Sequence, residues 1–145
     1  MATHVQLVFD CADPAAQASF WAEALHYVRE FPPAGFESSE AWGRAQGISE
    51  ASTNDFDAIL DSEGQGPRVY FQRVPEPKTA KNRMHLDLNI SGPSGTPLEE
   101  RKVRIWAEVA RLKAIGATDG RGAIEKEGEF WVRMNDPEGN EFCVQ

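Results

Sequence analysis

Arg83-Met84-His85-Leu86-Asp87-Leu88-Asn89-Ile90 alternates strictly between two kinds of side chain. Met84, Leu86, Leu88 and Ile90 fall on one side, and His85, Asp87 and Asn89 on the other. A period of two across this stretch predicts a strand with one face in an apolar core. The opposite face carries an imidazole, a carboxylate and an amide in a row. Facing a hollow, these groups would serve a ligand or a metal; on open surface they are ordinary solvated side chains.

Upstream, Val74-Pro75-Glu76-Pro77-Lys78 cannot lie inside a strand or helix, because proline removes a donor and fixes φ. It reads as a linker. Before it come a β-rich segment, Val5–Phe9, and then Asp13-Pro14, an N-cap with proline at the first helical position. The helix carries Ala16, Phe20, Trp21, Ala24 and Leu25 at helical spacing and ends near His26, where a left-handed conformation is expected. An extended piece at Tyr27–Phe31, a helix around Ser38–Gln46 and strands at Phe56–Leu60 and Arg68–Arg73 complete the first half. Phe31–Gly66 is its least regular stretch.

Downstream the order repeats. After the alternating strand, Thr96-Pro97-Leu98-Glu99 reads as a capping box with proline at the first helical position. The helix places Ile105, Val109 and Leu112 on one stripe, with Val103, Trp106 and Ala110 beside it, and Gly116 ends it. Strands follow at Ala123–Lys126, Phe130–Met134 and Glu141–Val144, the last two joined by the type I turn Asp136-Pro137-Glu138-Gly139. Strand, capped helix and three strands, written twice, predict an α+β fold. Two tandem βαβββ modules would form a curved, cup-like mixed sheet with helices on the outside, all within one domain, 1–145. Module 1 covers about 1–74, the linker about 75–82 and module 2 about 83–145.

A chain of 145 residues with 41% hydrophobic residues has the material for one packed domain. A net charge of −8 counts against phosphate-neutralising partners, so no nucleic acid is expected. No run approaches a membrane span and the N-terminus has no basic-then-apolar segment, so the expectation is a cytoplasmic protein with no membrane partner. Cys11 and Cys143 read as free thiols.

Three blocks in this order resemble the glyoxalase/bleomycin-resistance/dioxygenase group, the vicinal oxygen chelate superfamily, and within it the glyoxalase-like subgroup. They are Val5 to Leu25, Phe71 through Lys78 to Leu88, and Asp136-Pro137-Glu138-Gly139-Asn140-Glu141-Phe142. The resemblance implies the tandem βαβββ fold. In metal-dependent members it also implies one divalent ion held from the first and last strands of each module. The matching positions are Gln6, Gln72, His85 and Cys143, where such members carry His or Gln, Glu, His and Glu. A hard cation needs anionic oxygens to replace its water, and this set supplies too little charge. The expected cofactor is therefore none, with a zinc-like ion on His85, Asp87 and Cys143 as the alternative.

Without a metal, His85 is the candidate catalytic base, or else a structural histidine bonded to Asp87 or Gln72. Gln6, Tyr70, Gln72, Asp87, Arg133, Glu141 and Cys143 are the candidate substrate-binding residues. Trp131 and Arg133 alternate with Val132 and Met134, and either pair would face the site. Lys78, Lys81 and Arg83 form a basic cluster suited to a substrate carboxylate or to salt bridges. Three functions stay open. The first is a metal-free glyoxalase-like protein that binds a small molecule and transfers a proton as a lyase or isomerase. The second is a non-catalytic binder of cationic drugs, in keeping with the acidic charge. The third is a metal-dependent lyase or dioxygenase. Open sheet edges make a homodimer an expectation by analogy.

Overall fold

Asp13 opens the first helix as its sequence dictates, its carboxylate accepting from the Ala16 N–H at 3.1 Å. The computed structural model, which describes residues 2–145, places this helix in the first of two units divided between Pro77 and Lys78. The unit contains β1 (Leu7–Cys11), α1 (Pro14–Leu25), β2 (Val28–Arg29), α2 (Ser39–Ala45), β3 (Phe56–Leu60) and β4 (Val69–Arg73). Its sheet runs β1-β4-β3-β2, with β4 returning parallel to β1 and the other pairs antiparallel. Trp21 and Phe20 of α1 are buried, and Trp21 meets Phe9 of β1 at 5.4 Å between ring centroids. His26 caps α1 at φ 57, the left-handed conformation expected there. Ser38 caps α2 through its side chain.

The second unit contains β5 (Asp87–Leu88), α3 (Leu98–Ala114), β6 (Thr118–Lys126), β7 (Glu129–Asn135) and β8 (Glu141–Val144). Its order, β5-β8-β7-β6 with β8 parallel to β5, reproduces that of the first. The fold is therefore α+β, with two four-stranded mixed sheets and a helix packed on one face of each. Ile105, Val109 and Leu112 bury one stripe of α3 on the sheet side that also holds Val132, Met134, Phe142 and Val144. The Asp136 turn closes as expected, with Gly139 N–H donating to Asp136 O at 2.9 Å. The Asp136 carboxylate, 1% exposed, accepts from the N–H groups of Glu138 and Asn140. A buried carboxylate is tolerated when donors surround it.

Some local expectations are corrected. Met84 is 71% exposed rather than buried. The ladder with β8 begins only at Leu86, whose carbonyl accepts from Cys143 N–H, so nothing holds Met84 in register. Thr96 is not a helix cap: its hydroxyl donates to Pro93 O, and Pro97 enters the helix with no side-chain acceptor to offer. Val103 and Trp106 are 69% and 49% exposed and Ala110 is exposed, so the buried stripe is narrower than the pattern suggested. β1 also sits two residues later than Val5–Phe9, leaving Val5 at 66% exposure. Among the described residues no helix is long and apolar enough to cross a membrane.

Candidate functional site

Strand register in the second sheet sets three side chains in a row on the face away from α3. Asp87 of β5 pairs with Cys143 of β8, and Cys143 with Arg133 of β7. Residues opposite one another across a ladder share a face, so the row follows from the pairing. Two positions before Asp87, just ahead of β5, comes His85; two positions before Cys143 on β8 comes Glu141, and two before Arg133 on β7 comes Trp131. Of the two alternating pairs on β7, Trp131 and Arg133 thus look into the site, while Val132 and Met134 lie in the core.

All of these site residues but Asp87 border a cavity of about 480 Å³, lined in part by Lys81, His85, Arg121, Trp131, Arg133 and Cys143. Ile124, Asn135, Glu141, Phe142, Asp119 and Gly120 complete much of its wall. The pairing of β6 with β7 shifts register between Asp119 and Gly122, and this bulge holds Gly120 and Arg121 against β7. Arg133 Nη2 donates to Arg121 O at 3.0 Å. Gly120 allows the approach: a Cβ there would lie 2.7 Å from Arg133 O.

His85 Nε2 stands 3.3 Å from Asp87 Oδ1, both side chains about two-fifths exposed. Burial, then the adjacent Asp87 carboxylate, push the Cys143 thiol up to about 11, although Arg133 and Lys81 pull it the other way. A thiol so placed stays protonated at neutral pH, which argues against Cys143 as a nucleophile. Glu141 is the opposite case. The Asn82 N–H at 3.0 Å and Lys78 Nζ at 3.1 Å hold its carboxyl down to about 2. Lys78 thus spends its charge on Glu141.

His85, Asp87, Arg133, Glu141 and Cys143 come together in this unit. Gln6, Tyr70 and Gln72 belong to the first. There Gln6 Oε1 accepts from Arg68 Nη1 at 2.6 Å, Tyr70 stacks on Phe56 beneath the Arg68 guanidinium, and Gln72 Nε2 donates to Asp10. His85 is therefore bonded to Asp87, and the Gln72 amide is engaged elsewhere. Arg121, Ile124 and Asn135 were not foreseen. The Gly120-Arg121-Gly122 run hints at a bulge, but nothing in the sequence fixes where its arginine points.

His85, Asp87 and Cys143 each offer a ligand atom, all within 4.8 Å of one another. The set does not fit a hard divalent ion. It has one carboxylate, and Arg133 and Lys81 set positive charge beside Cys143. Nitrogen, oxygen and sulfur donors together match zinc better.

No curated protein matches the sequence. A family model described as the glyoxalase-like domain matches residues 6–145. Among solved structures, a glyoxalase/bleomycin resistance protein/dioxygenase family enzyme from Burkholderia phytofirmans PsJN is 14% identical, with TM-score 0.60 over 96% of this chain and 94% of that one. A glyoxalase-related enzyme from Fulvimarina pelagi is also 14% identical, with TM-score 0.62 over 99% and 87%. A variant of the fosfomycin resistance protein FosX from Listeria monocytogenes, complexed with Mn(II) and a dihydroxypropylphosphonic acid, is 13% identical, with TM-score 0.61 over 100% and 90%. At such identities the structures speak for the fold alone. With nearly the whole sequence matched by the family model and the βαβββ order present twice, the chain belongs to the glyoxalase-like domain family.

Proposed function

We propose that the protein binds a small organic molecule in the cavity of its second unit and moves a proton on it, with His85 as base, in a lyase- or isomerase-type reaction. The observation that carries this reading is the His85–Asp87 pair at the edge of a cavity walled by Trp131 and Ile124. A carboxylate 3.3 Å from one ring nitrogen fixes the imidazole's orientation, as a general base requires. Arg133 and Glu141 orient the substrate, Asp87 positions the base, and Cys143 contributes a small neutral wall. Gln6, Tyr70 and Gln72 form a second polar group, on the first unit, whose part in binding is tested separately by substitution.

Proton transfer is read by NMR as deuterium incorporation from heavy water into a compound that stabilises the protein thermally. His85→Gln is expected to keep binding and to slow exchange about 10²- to 10⁴-fold, the usual contribution of a general base. Unchanged exchange in that variant removes the catalytic role and leaves a binding protein.

Zinc on His85, Asp87 and Cys143 is a second reading, favoured by the proximity of the three donors. The FosX structure holds Mn(II), but the donor set here is softer. Elemental analysis of protein purified without chelator decides it, and a sub-stoichiometric zinc content ends it. The cationic-drug reading loses ground, because the cavity's own free charges are positive.

A further inference from the structure

Charge pairing across the molecule singles out this cavity. Among the described residues, Lys and Arg side chains lie against carboxylates nearly everywhere: Arg29 on Asp57, Arg44 on Glu50, Arg68 on Glu30, Arg73 on Asp55 and Lys78 on Glu141. Arg101, Lys102, Arg104, Arg111, Lys113 and Lys126 are paired in the same way. Only Lys81, Arg83, Arg121 and Arg133 have no carboxylate within 4.0 Å, and three of these four line the cavity. In a chain of net charge −8, where carboxylates outnumber cations, that concentration needs a reason.

The carboxylates at the wall do not supply the missing partners. Asp119 is taken by Lys113 at 2.8 Å and Glu141 by Lys78 at 3.1 Å, and neither lysine lines the cavity. Asp87 faces His85 and the Cys143 thiol. Arg133 gives one nitrogen to Arg121 O, while its buried Nε has no hydrogen-bond partner among the described residues. A half-buried guanidinium without an anion is a costly arrangement unless an anion arrives. Beside these cations lie the apolar surfaces of Trp131, Ile124 and Phe142.

We infer that the ligand of this cavity is an organic anion, a carboxylate or phosphonate on an apolar or aromatic body. Its charged end meets Arg133, Lys81 and Arg121, and its body lies against Trp131 and Ile124. Arg133 gives directional hydrogen bonds to a planar or tetrahedral oxyanion, whereas Lys81 acts as a point charge. This identification rests on the reading of the cavity as the ligand site, and it names the class of molecule on which His85 would act.

Three probes of one shape and different charge test it on the full chain at low ionic strength: naphthoate, naphthalenemethanol and naphthylmethylammonium, each followed by calorimetric titration. Naphthoate is expected to bind about tenfold tighter than the neutral alcohol, and the ammonium compound weakest, since a charge-assisted hydrogen bond is worth about a factor of ten or more. Arg133→Gln should abolish the preference for naphthoate over the alcohol. Lys81→Gln, at an exposed position, repeats the test where a folding defect is not a concern. His85→Gln should keep the order of the three affinities, so failure of the base reading leaves this one standing. Equal affinity for alcohol and naphthoate, or a preference that survives both charge substitutions in folded protein, overturns the anion assignment alone. Binding by none of the probes, or binding indifferent to Trp131→Ala, overturns both it and the cavity as ligand site.

Discussion

Glu141 shows how a single side chain reports on its surroundings. Its carboxyl is held down from 4.5 to about 2, first by the Asn82 N–H and then by Lys78. A depressed carboxylate contributes stability in full above its unfolded value and loses it as the pH falls through the folded one. The thermal midpoint of the native protein should therefore exceed that of Glu141→Gln above pH 4.5, with the gap closing as the pH drops toward 2. A gap that does not change with pH would mean that the charge on the Glu141 carboxylate contributes nothing. At this scale the sequence was partly legible. The alternation of Leu86, Asp87 and Leu88 told which side chains share a face, so His85, Asp87, Glu141 and Cys143 were named from spacing and resemblance. Arg121 escaped, because its direction depends on a bulge that no periodicity encodes.

Among the elements, the bulge in β6 bears most directly on the site. Gly120 sits where a Cβ would press within 2.7 Å of Arg133 O and 3.0 Å of Met134 N. Those are backbone atoms of the neighbouring strand and cannot rotate away. Gly120→Ala should force β6 off β7, costing about 1–3 kcal/mol as overpacking does, and should displace the Arg121 carbonyl that anchors Arg133. Chemical denaturation reads the first effect and weaker naphthoate binding the second; a variant as stable as the parent would show that the strand has room to give. Helix starts and stops that use side chains or glycine were readable in advance, as at Asp13 and Gly116. Thr96 was not, since the helix starts one residue later, with Pro97 at its cap, and the Thr96 hydroxyl donates back to Pro93 O. Trp106 was misjudged because hydrophobicity does not show how wide a stripe the sheet can cover. Its indole instead lies 5.9 Å from the Phe130 ring at the edge of the helix–sheet contact.

For the molecule as a whole, the repeated order of elements could be read because each unit announces itself with the same sequence of caps, turns and alternation. Ligand class could not, since it depends on which cations are left without partners once every other one has found its acid. The architecture has a mechanical consequence as well. In the first unit β4 lies parallel to β1, joined at its two ends by Leu7 N–H to Arg68 O and Val74 N–H to Cys11 O. Tension applied at Leu7 and Val74 would slide these strands along one another, so their bonds would share the load and fail together rather than open one by one. The unit should therefore resist stretching along that axis more strongly than when gripped through β2 and β3, whose antiparallel pair peels from its end. Single-molecule pulling with the two attachment geometries would show equal rupture forces if that shear arrangement gives no added strength.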